Sequence, residues 1–157
     1  SKAFRDRVIR LYHTYSISAN QKMLNLLGSH DTDRFLTRVK GDAVRFRTAA
    51  AIMFFYPGIP CVYYGDEIGM EGGYDPDCRR TFRWNEDSWD KETRHLIKKL
   101  MMLKKEPALS DGTFGVEEED GIITFTRSAA TQTIKLRVNG TDKVNKGLPA
   151  YGFEIII

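Results

Sequence analysis

The sequence predicts an α/β plus β protein in which the C-terminal part of a TIM (β/α)8 barrel, its last two strand–helix units, precedes a small antiparallel β-sandwich. Two short apolar stretches, residues 23–27 and 59–64, each lead into acidic side chains, and a helical apolar pattern separates them. Beyond Pro107 the apolar spacing changes to every second residue, which is typical of antiparallel strands. These observations predict two domains, residues 1–108 and residues 109–157.

The first barrel unit begins with an amphipathic helix. Apolar residues at helical spacing predict this helix over residues 3–15. The polar stretch 16–21 predicts a loop, and the apolar residues 23–27 predict a short, buried parallel strand. Asp42 then has the side chain and the position of an N-cap for a helix over residues 43–56.

The second half of this helix, residues 49–55, is uniformly apolar, so we expect it to be buried on every side. The apolar stretch 59–64 predicts the second strand, parallel to the first. A long loop over residues 69–87 follows, with three glycines and much charge.

The last helix of the barrel region begins at Ser88 or Asp90 and is expected to extend to about Glu106. Its apolar residues between Leu96 and Leu103 form one stripe. Pro107 should stop it, since proline lacks the N–H that a helix interior requires.

The C-terminal region alternates apolar and polar residues. Residues 123–126, 133–138 and 153–157 predict antiparallel strands with one buried face. Asn139-Gly140 is a turn signal between the second and the third of them. This pattern carries the prediction of the β-sandwich.

The composition is that of a globular protein, with 41% hydrophobic and 29% charged residues. The net charge of +3 arises from scattered basic residues, so we expect no nucleic-acid partner. No apolar stretch is long enough for a membrane helix, so we expect no membrane partner. Cys61 and Cys78 form neither a disulfide framework nor a zinc motif, which favours a reduced, cytoplasmic setting.

Candidate site residues follow both predicted strands. His30 and Asp31 come after the first strand, and Asp66 and Glu67 end the second. Because active sites of β/α barrels lie at the carboxyl ends of the strands, a barrel would gather these side chains on one rim. In the alternative account, the acids serve turns or pair with a nearby arginine, and the histidine is an ordinary rim residue. The residues alone leave both accounts open.

The loop after the second strand contains Asp75, Asp77, Arg79 and Arg80. The planar fork of an arginine can bind carboxylates and sugar hydroxyls together. The alternative is a surface turn with a solvated ion pair. Because the loop lacks the further oxygen ligands of a calcium site, we predict no metal and no cofactor here. If the chain is part of a longer protein, a calcium site elsewhere in that protein is not excluded.

Three motifs, in this order, resemble those of the α-amylase family of glycoside hydrolases. Residues 25–32, Asn-Leu-Leu-Gly-Ser-His-Asp-Thr, are similar to the family's motif after the seventh barrel strand. Residues 58–67, Gly-Ile-Pro-Cys-Val-Tyr-Tyr-Gly-Asp-Glu, are similar to its eighth strand. Asp-Pro-Asp-Cys-Arg-Arg at 75–80, followed by Phe-Arg-Trp at 82–84, resembles the branch of neopullulanases, cyclomaltodextrinases and maltogenic amylases. The likeness covers residues 1–110.

The resemblance implies a retaining hydrolase acting on α-1,4 or α-1,6 bonds of α-glucans such as cyclodextrins, pullulan or starch, or of maltooligosaccharides. In such enzymes one carboxylate attacks the anomeric carbon and another protonates the leaving oxygen. Asp31 matches a third carboxylate, which stabilises the positively charged transition state. His30, Asp75 and Arg79 match positions that bind the sugar being cleaved.

The resemblance also implies what this chain lacks. Asp66 and Glu67 match supporting positions at the end of the eighth strand, whereas the nucleophile and the general acid belong after earlier strands. Asp6 lies on the predicted first helix and not at a strand end, so it is not the nucleophile. We therefore expect the chain to be the C-terminal piece of a larger enzyme and to be inactive in isolation.

Two other functions stay open. One is a non-catalytic carbohydrate-binding or scaffold module that retains the motif, and the other is a transglycosylase of the same family. Because two strands of a barrel expose apolar faces and unpaired edges, we also expect a homo-oligomer.

Overall fold

The fold is described from a computed structural model of all residues, 1–157. The helices are α1 (Lys2–Thr14), α2 (Ile17–Lys22), α3 (Phe35–Arg38), α4 (Ala43–Phe55), α5 (Lys91–Leu103) and α6 (Pro107–Ser110). The strands are β1 (Leu24–Leu26), β2 (Ile59–Cys61), β3 (Thr113–Glu119), β4 (Ile122–Ala129), β5 (Gln132–Asn139) and β6 (Phe153–Ile156). None of the helices combines the length and the apolar composition that a membrane crossing requires.

The two barrel strands are parallel, as predicted. β1 pairs with β2 from Leu24 opposite Ile59 to Leu26 opposite Cys61, and α4 lies in the connection between them. The prediction that these strands are buried is wrong for this chain, since Leu24, Leu26 and Ile59 are 63%, 49% and 51% exposed. The physical reason is that the parallel sheet has only two strands, so few neighbours cover its faces.

Two of the three long helices of the barrel region, α4 and α5, begin at the predicted caps. The Asp42 carboxylate accepts a hydrogen bond from the Arg45 N–H at 3.0 Å, and the Asp90 carboxylate accepts one from the Thr93 N–H at 3.0 Å. Both bonds satisfy a backbone donor that the first helical turn leaves free. Most of the apolar half of α4 is buried as predicted, with Phe55 at its end fully enclosed, while Ala49 and Ile52 are half-buried.

Two local predictions are wrong in the barrel region. Residues 16–21 were expected to form a loop, but Ser16 caps the short helix α2 by accepting a hydrogen bond from the Ala19 N–H at 3.2 Å. The polar Asn20 of this helix is buried, because its amide donates to the Tyr12 carbonyl at 2.8 Å. At the other end, α5 ends at Leu103 and not near Glu106 as predicted, and Pro107, expected only to stop this helix, is the first residue of α6.

The predicted antiparallel strands are confirmed, but they form one sheet and not the two packed sheets of a sandwich, because helices of the barrel region cover the apolar face. The sheet has the order β3-β4-β5-β6, with every neighbouring pair antiparallel. β3 was not predicted from the sequence, although the turn that follows it carries a strong hairpin signal, Asp120-Gly121. Both turn residues have positive φ, +51° and +85°, as a two-residue hairpin turn requires.

One face of this sheet packs against helices of the barrel region. A single apolar cluster includes Val8 of α1, Phe54 of α4, Leu100 of α5 and Phe125 of β4. Inside this contact, the buried Arg127 donates to three main-chain carbonyls, including that of Phe55 at 2.9 Å. The two regions thus share one core, and their predicted division after residue 108 stays a prediction.

Candidate active site

The candidate site lies where β1 and β2 end. Residues 28–33 form the loop after β1, and residues 62–66 follow β2. Residues 72–80, part of the long loop, contact the loop after β1. Because the strands are parallel, their carboxyl ends lie at the same edge of the sheet. This edge brings together His30 and Asp31 with residues of the long loop.

Arg79 connects the two loops. Its Nε donates to the His30 carbonyl at 2.9 Å and lies 2.7 Å from Asp75 Oδ1. The buried Cys78 donates its thiol to the same carbonyl, at 3.1 Å. The predicted site residues His30, Asp75 and Arg79 therefore form one contact group, although 49 positions separate the first from the last.

Asp31 lies beside this group with an exposed carboxylate. The Ser29 hydroxyl donates to it, and this hydrogen bond is the largest cause that holds the pKa of Asp31 below its usual range, helped by the electrostatic effect of the neighbouring His30 and Arg79. The carboxylate is therefore ionised at neutral pH. A fixed anion of this kind can stabilise a neighbouring positive charge as it develops.

Asp66 faces the interior instead of the rim. It is 5% exposed, and its Oδ1 accepts a hydrogen bond from the fully buried Arg34 at 3.0 Å. Burial raises the pKa of Asp66 to about 6, because the loss of water outweighs the attraction of Arg34. Glu67 is half-buried and lines a different cavity, of about 540 Å³, together with residues of α5. Neither side chain joins the group around Arg79.

The second acid of the long loop has its own partners. Asp77 accepts hydrogen bonds from Arg80 at 2.7 and 2.9 Å and from the Gly73 N–H at 2.7 Å. These bonds lower the pKa of Asp77, the Arg80 bond being the largest cause. The two acids of this loop thus each pair with the arginine that the sequence places three or four residues later.

Sequence reasoning missed three residues of this region. Arg34, buried under the loop, is the most prominent, and the others are Ser29, which bonds Asp31, and Tyr64, which contacts Arg34. A local signal existed for Ser29, because a serine hydroxyl can accept a hydrogen bond from the backbone N–H two residues later and so form a turn, here with Asp31. No local signal marked Arg34, since arginine is usually exposed.

The comparisons with known proteins identify the family of this chain. The family model of the α-amylase catalytic domain matches residues 3–112. The chain belongs to the α-amylase family. Its relatives include maltogenic amylases, cyclomaltodextrinases and neopullulanases, which is the branch that the sequence motifs indicated.

Individual relatives give the extent of the match. The maltogenic α-amylase of Bacillus acidopullulyticus is 35% identical over 144 residues, covering 88% of this chain and 25% of that protein. The cyclomaltodextrinase of Thermoanaerobacter pseudethanolicus is 41% identical over 128 residues, covering 80% of this chain and 22% of that protein. The cyclic α-maltosyl-(1→6)-maltose hydrolase of Arthrobacter globiformis superposes with a TM-score of 0.88 at 29% identity, covering 98% of this chain and 39% of that one. The chain thus spans about a quarter of the length of these curated relatives.

Proposed function

We propose that this chain supplies one side of the active site of a retaining α-glucan hydrolase. The observation that carries the proposal is the contact group in which Arg79 joins the His30 carbonyl to Asp75, beside the ionised Asp31. An arginine fork, a carboxylate and an imidazole on one rim match the hydroxyls of a sugar ring and the charge of its oxocarbenium-like transition state.

Each residue has a proposed role. Asp31 is the transition-state stabiliser, because an exposed carboxylate held by Ser29 lowers the energy of a cation more as its charge grows. His30, Asp75 and Arg79 bind the same sugar. Asp66 acts from below the rim as a supporting residue, and Glu67, also proposed as supporting, lies further away.

The reaction needs two further carboxylates, the nucleophile and the general acid. We infer that this chain alone binds glucan without cleaving it, because Asp31 is the one acid here that matches the family's catalytic positions. The proposal predicts that the three acids act together in the whole protein.

The names of the relatives support the substrate class. They are called cyclomaltodextrinase, neopullulanase and maltogenic amylase, and a solved relative is called a cyclic α-maltosyl-(1→6)-maltose hydrolase. We therefore propose maltooligosaccharides and cyclic or branched α-glucans as substrates, cleaved at α-1,4 or α-1,6 bonds.

The first test is the release of reducing sugar from cyclodextrin, pullulan and starch by the purified chain, with circular dichroism as the check that it is folded. We expect no release. Clear turnover that disappears in Asp31→Asn would mean that the chain contains a complete site, and would overturn the proposed division of the catalytic acids.

The second test uses the protein that carries these residues together with the other two acids. There Asp31→Asn should lower kcat by at least about a thousand-fold, as removal of a catalytic carboxylate does. The matched control is Asp87→Asn, an exposed acid outside the contact group, which should leave kcat unchanged. Equal rates in both variants would refute the role of Asp31.

A further inference from the structure

Arg34 is a fully buried arginine at the junction of three segments. It ends the loop that carries His30 and Asp31. Its main-chain N–H donates to the Gly72 carbonyl at 2.9 Å, at the start of the long loop. Its Nη1 donates to the Tyr64 carbonyl at 2.7 Å and to Asp66 at 3.0 Å, beyond the end of β2. One residue thus bonds to both segments that face its own loop.

The guanidinium also packs against two aromatic rings. Its central carbon lies 4.5 Å from the ring centroid of Tyr63 and 4.9 Å from that of Tyr64. Such cation–π contacts are stronger when the cation is desolvated, as it is here. The Tyr64 hydroxyl in turn donates to the Arg80 carbonyl at 2.8 Å. The long loop is therefore held at both ends, at Gly72 by the Arg34 main chain and at Arg80 through Tyr64.

Arg79 lies between these two attachments. Its contacts with the His30 carbonyl and Asp75 are at the protein surface, where an ion pair alone contributes little. We propose that the side chain of Arg34 has a positioning role. It holds the main chain and the ring of Tyr64, whose hydroxyl bonds the Arg80 carbonyl, and so keeps the neighbouring Arg79 on the His30 carbonyl.

The chemistry of Arg34 distinguishes this role from simple filling of the core. A buried charge costs free energy, and apolar residues of similar size are often as stable. Two of its nitrogens, Nε and Nη2, have no partner, which adds to the cost. An apolar residue could fill the same space, but it could not hold the Tyr64 carbonyl and the Asp66 carboxylate in fixed directions. Packing and positioning can therefore be separated by Arg34→Met.

The first test measures, in the chain itself, how firmly the Arg79 Nε–H is held on the His30 carbonyl. Hydrogen exchange of the Arg79 Nε–H is followed by NMR in the wild type, in Arg34→Met and in the control Arg47→Met. Arg47 likewise has acidic partners, Asp90 and Glu92, although it is only half-buried; it lies between α4 and α5 and contacts no site residue. Arg34→Met should speed exchange at least about tenfold, the loss expected for one hydrogen bond of a charged donor, and Arg47→Met should not.

A second variant covers the case in which Arg34→Met does not fold. Tyr64→Phe keeps the ring beside Arg34 and removes only the hydroxyl that bonds the Arg80 carbonyl. Because Tyr64 is 39% exposed, this variant should fold. It should also speed exchange of the Arg79 Nε–H. Unchanged exchange in the folded variants would overturn the positioning role.

The consequence for catalysis rests on the proposed function and is measured separately, as kcat/KM for a maltooligosaccharide in the protein that carries the complete site. Arg34→Met and Arg79→Ala should each lower kcat/KM, and the double variant should be no worse than the more severe single one. Multiplied effects would mean that the two residues act independently and would overturn the inference. If Arg79→Ala has no effect, the sugar-binding role of Arg79 fails, while the exchange result still decides the role of Arg34.

Discussion

Asp66 should make the folded chain less stable as the pH rises from about 4 to about 6. Burial raises its pKa in the folded state to about 6 from the ordinary value of 3.8. Between these two values the folded chain holds a proton that the unfolded chain has released. The free energy of unfolding therefore decreases as the pH rises through this window; above it, the loss due to Asp66 is complete and does not change further with pH.

The size of the effect follows from the two pKa values. A pKa difference of about two corresponds to about 3 kcal/mol between the acidic and the neutral limit. The structure explains why burial dominates, since the carboxyl is 5% exposed and only one nitrogen of Arg34 bonds it. The other two guanidinium nitrogens have no partner and do not compensate the lost water.

Urea unfolding measured between pH about 4 and about 8 tests this sign, with Asp66→Asn as the comparison. The asparagine does not titrate, so the wild type should lose up to about 3 kcal/mol relative to the variant as the pH rises. Asp142→Asn, an exposed acid without a side-chain hydrogen bond, should show no such trend. A wild type that gains stability relative to Asp66→Asn with rising pH would show that the attraction of Arg34 outweighs burial, and the reasoning would be wrong.

Two further predictions concern the core between the helices and the antiparallel sheet. Arg127→Met removes the donor of three main-chain carbonyls and should lower the free energy of unfolding by about 3 kcal/mol. In the same urea titration, Arg137→Met, which breaks a half-exposed pair with Glu154, should cost less than about 1 kcal/mol, and equal losses would contradict the argument. Phe125→Ala should cost about 4 kcal/mol and destabilise helices and sheet in one transition, because its ring belongs to their shared cluster. Separate transitions, seen in helix circular dichroism and sheet amide signals, would show that the two regions unfold independently.

Elements with strong periodicity or a clear cap were predictable from the sequence. Asp42 before an apolar run located α4, and alternating residues located β4 and β5. α2 was missed because its six residues are mostly polar and its stability depends on the buried Asn20, whose partners lie in the preceding helix and the residue after it. Such a tertiary hydrogen bond leaves no mark in the local pattern.

β3 was missed for a different reason. Its sequence, Thr-Phe-Gly-Val-Glu-Glu-Glu, ends in three acids and contains a glycine, both unfavourable in strands. Pairing with β4 along seven residues overrides this preference. The Asp-Gly turn at 120–121 would have located the hairpin, since this dipeptide takes positive φ readily.

The site divides in the same way between local and non-local information. The motif residues His30 and Asp31 lie at a strand end, and Asp75 and Arg79 form a contact at a spacing of four, so both placements follow from short stretches of sequence. The bond from Arg79 to the His30 carbonyl joins residues 49 positions apart, and spacing alone could not predict it. It follows only from the parallel pairing that places both strand ends at one edge.

Arg34 and Asp66 mark the limit of prediction from sequence alone. Each residue type is usually exposed, and 32 positions separate the two, so neither composition nor periodicity predicts a buried pair. Burying this pair costs free energy that an apolar pair would not. Since the pair lies directly beneath the loops that carry Asp31 and Arg79, its value to the protein is better explained by the direction of its hydrogen bonds than by its contribution to stability. This explanation requires that Arg34→Met speeds exchange of the Arg79 Nε–H while the melting temperature changes little, so the two measurements together test it.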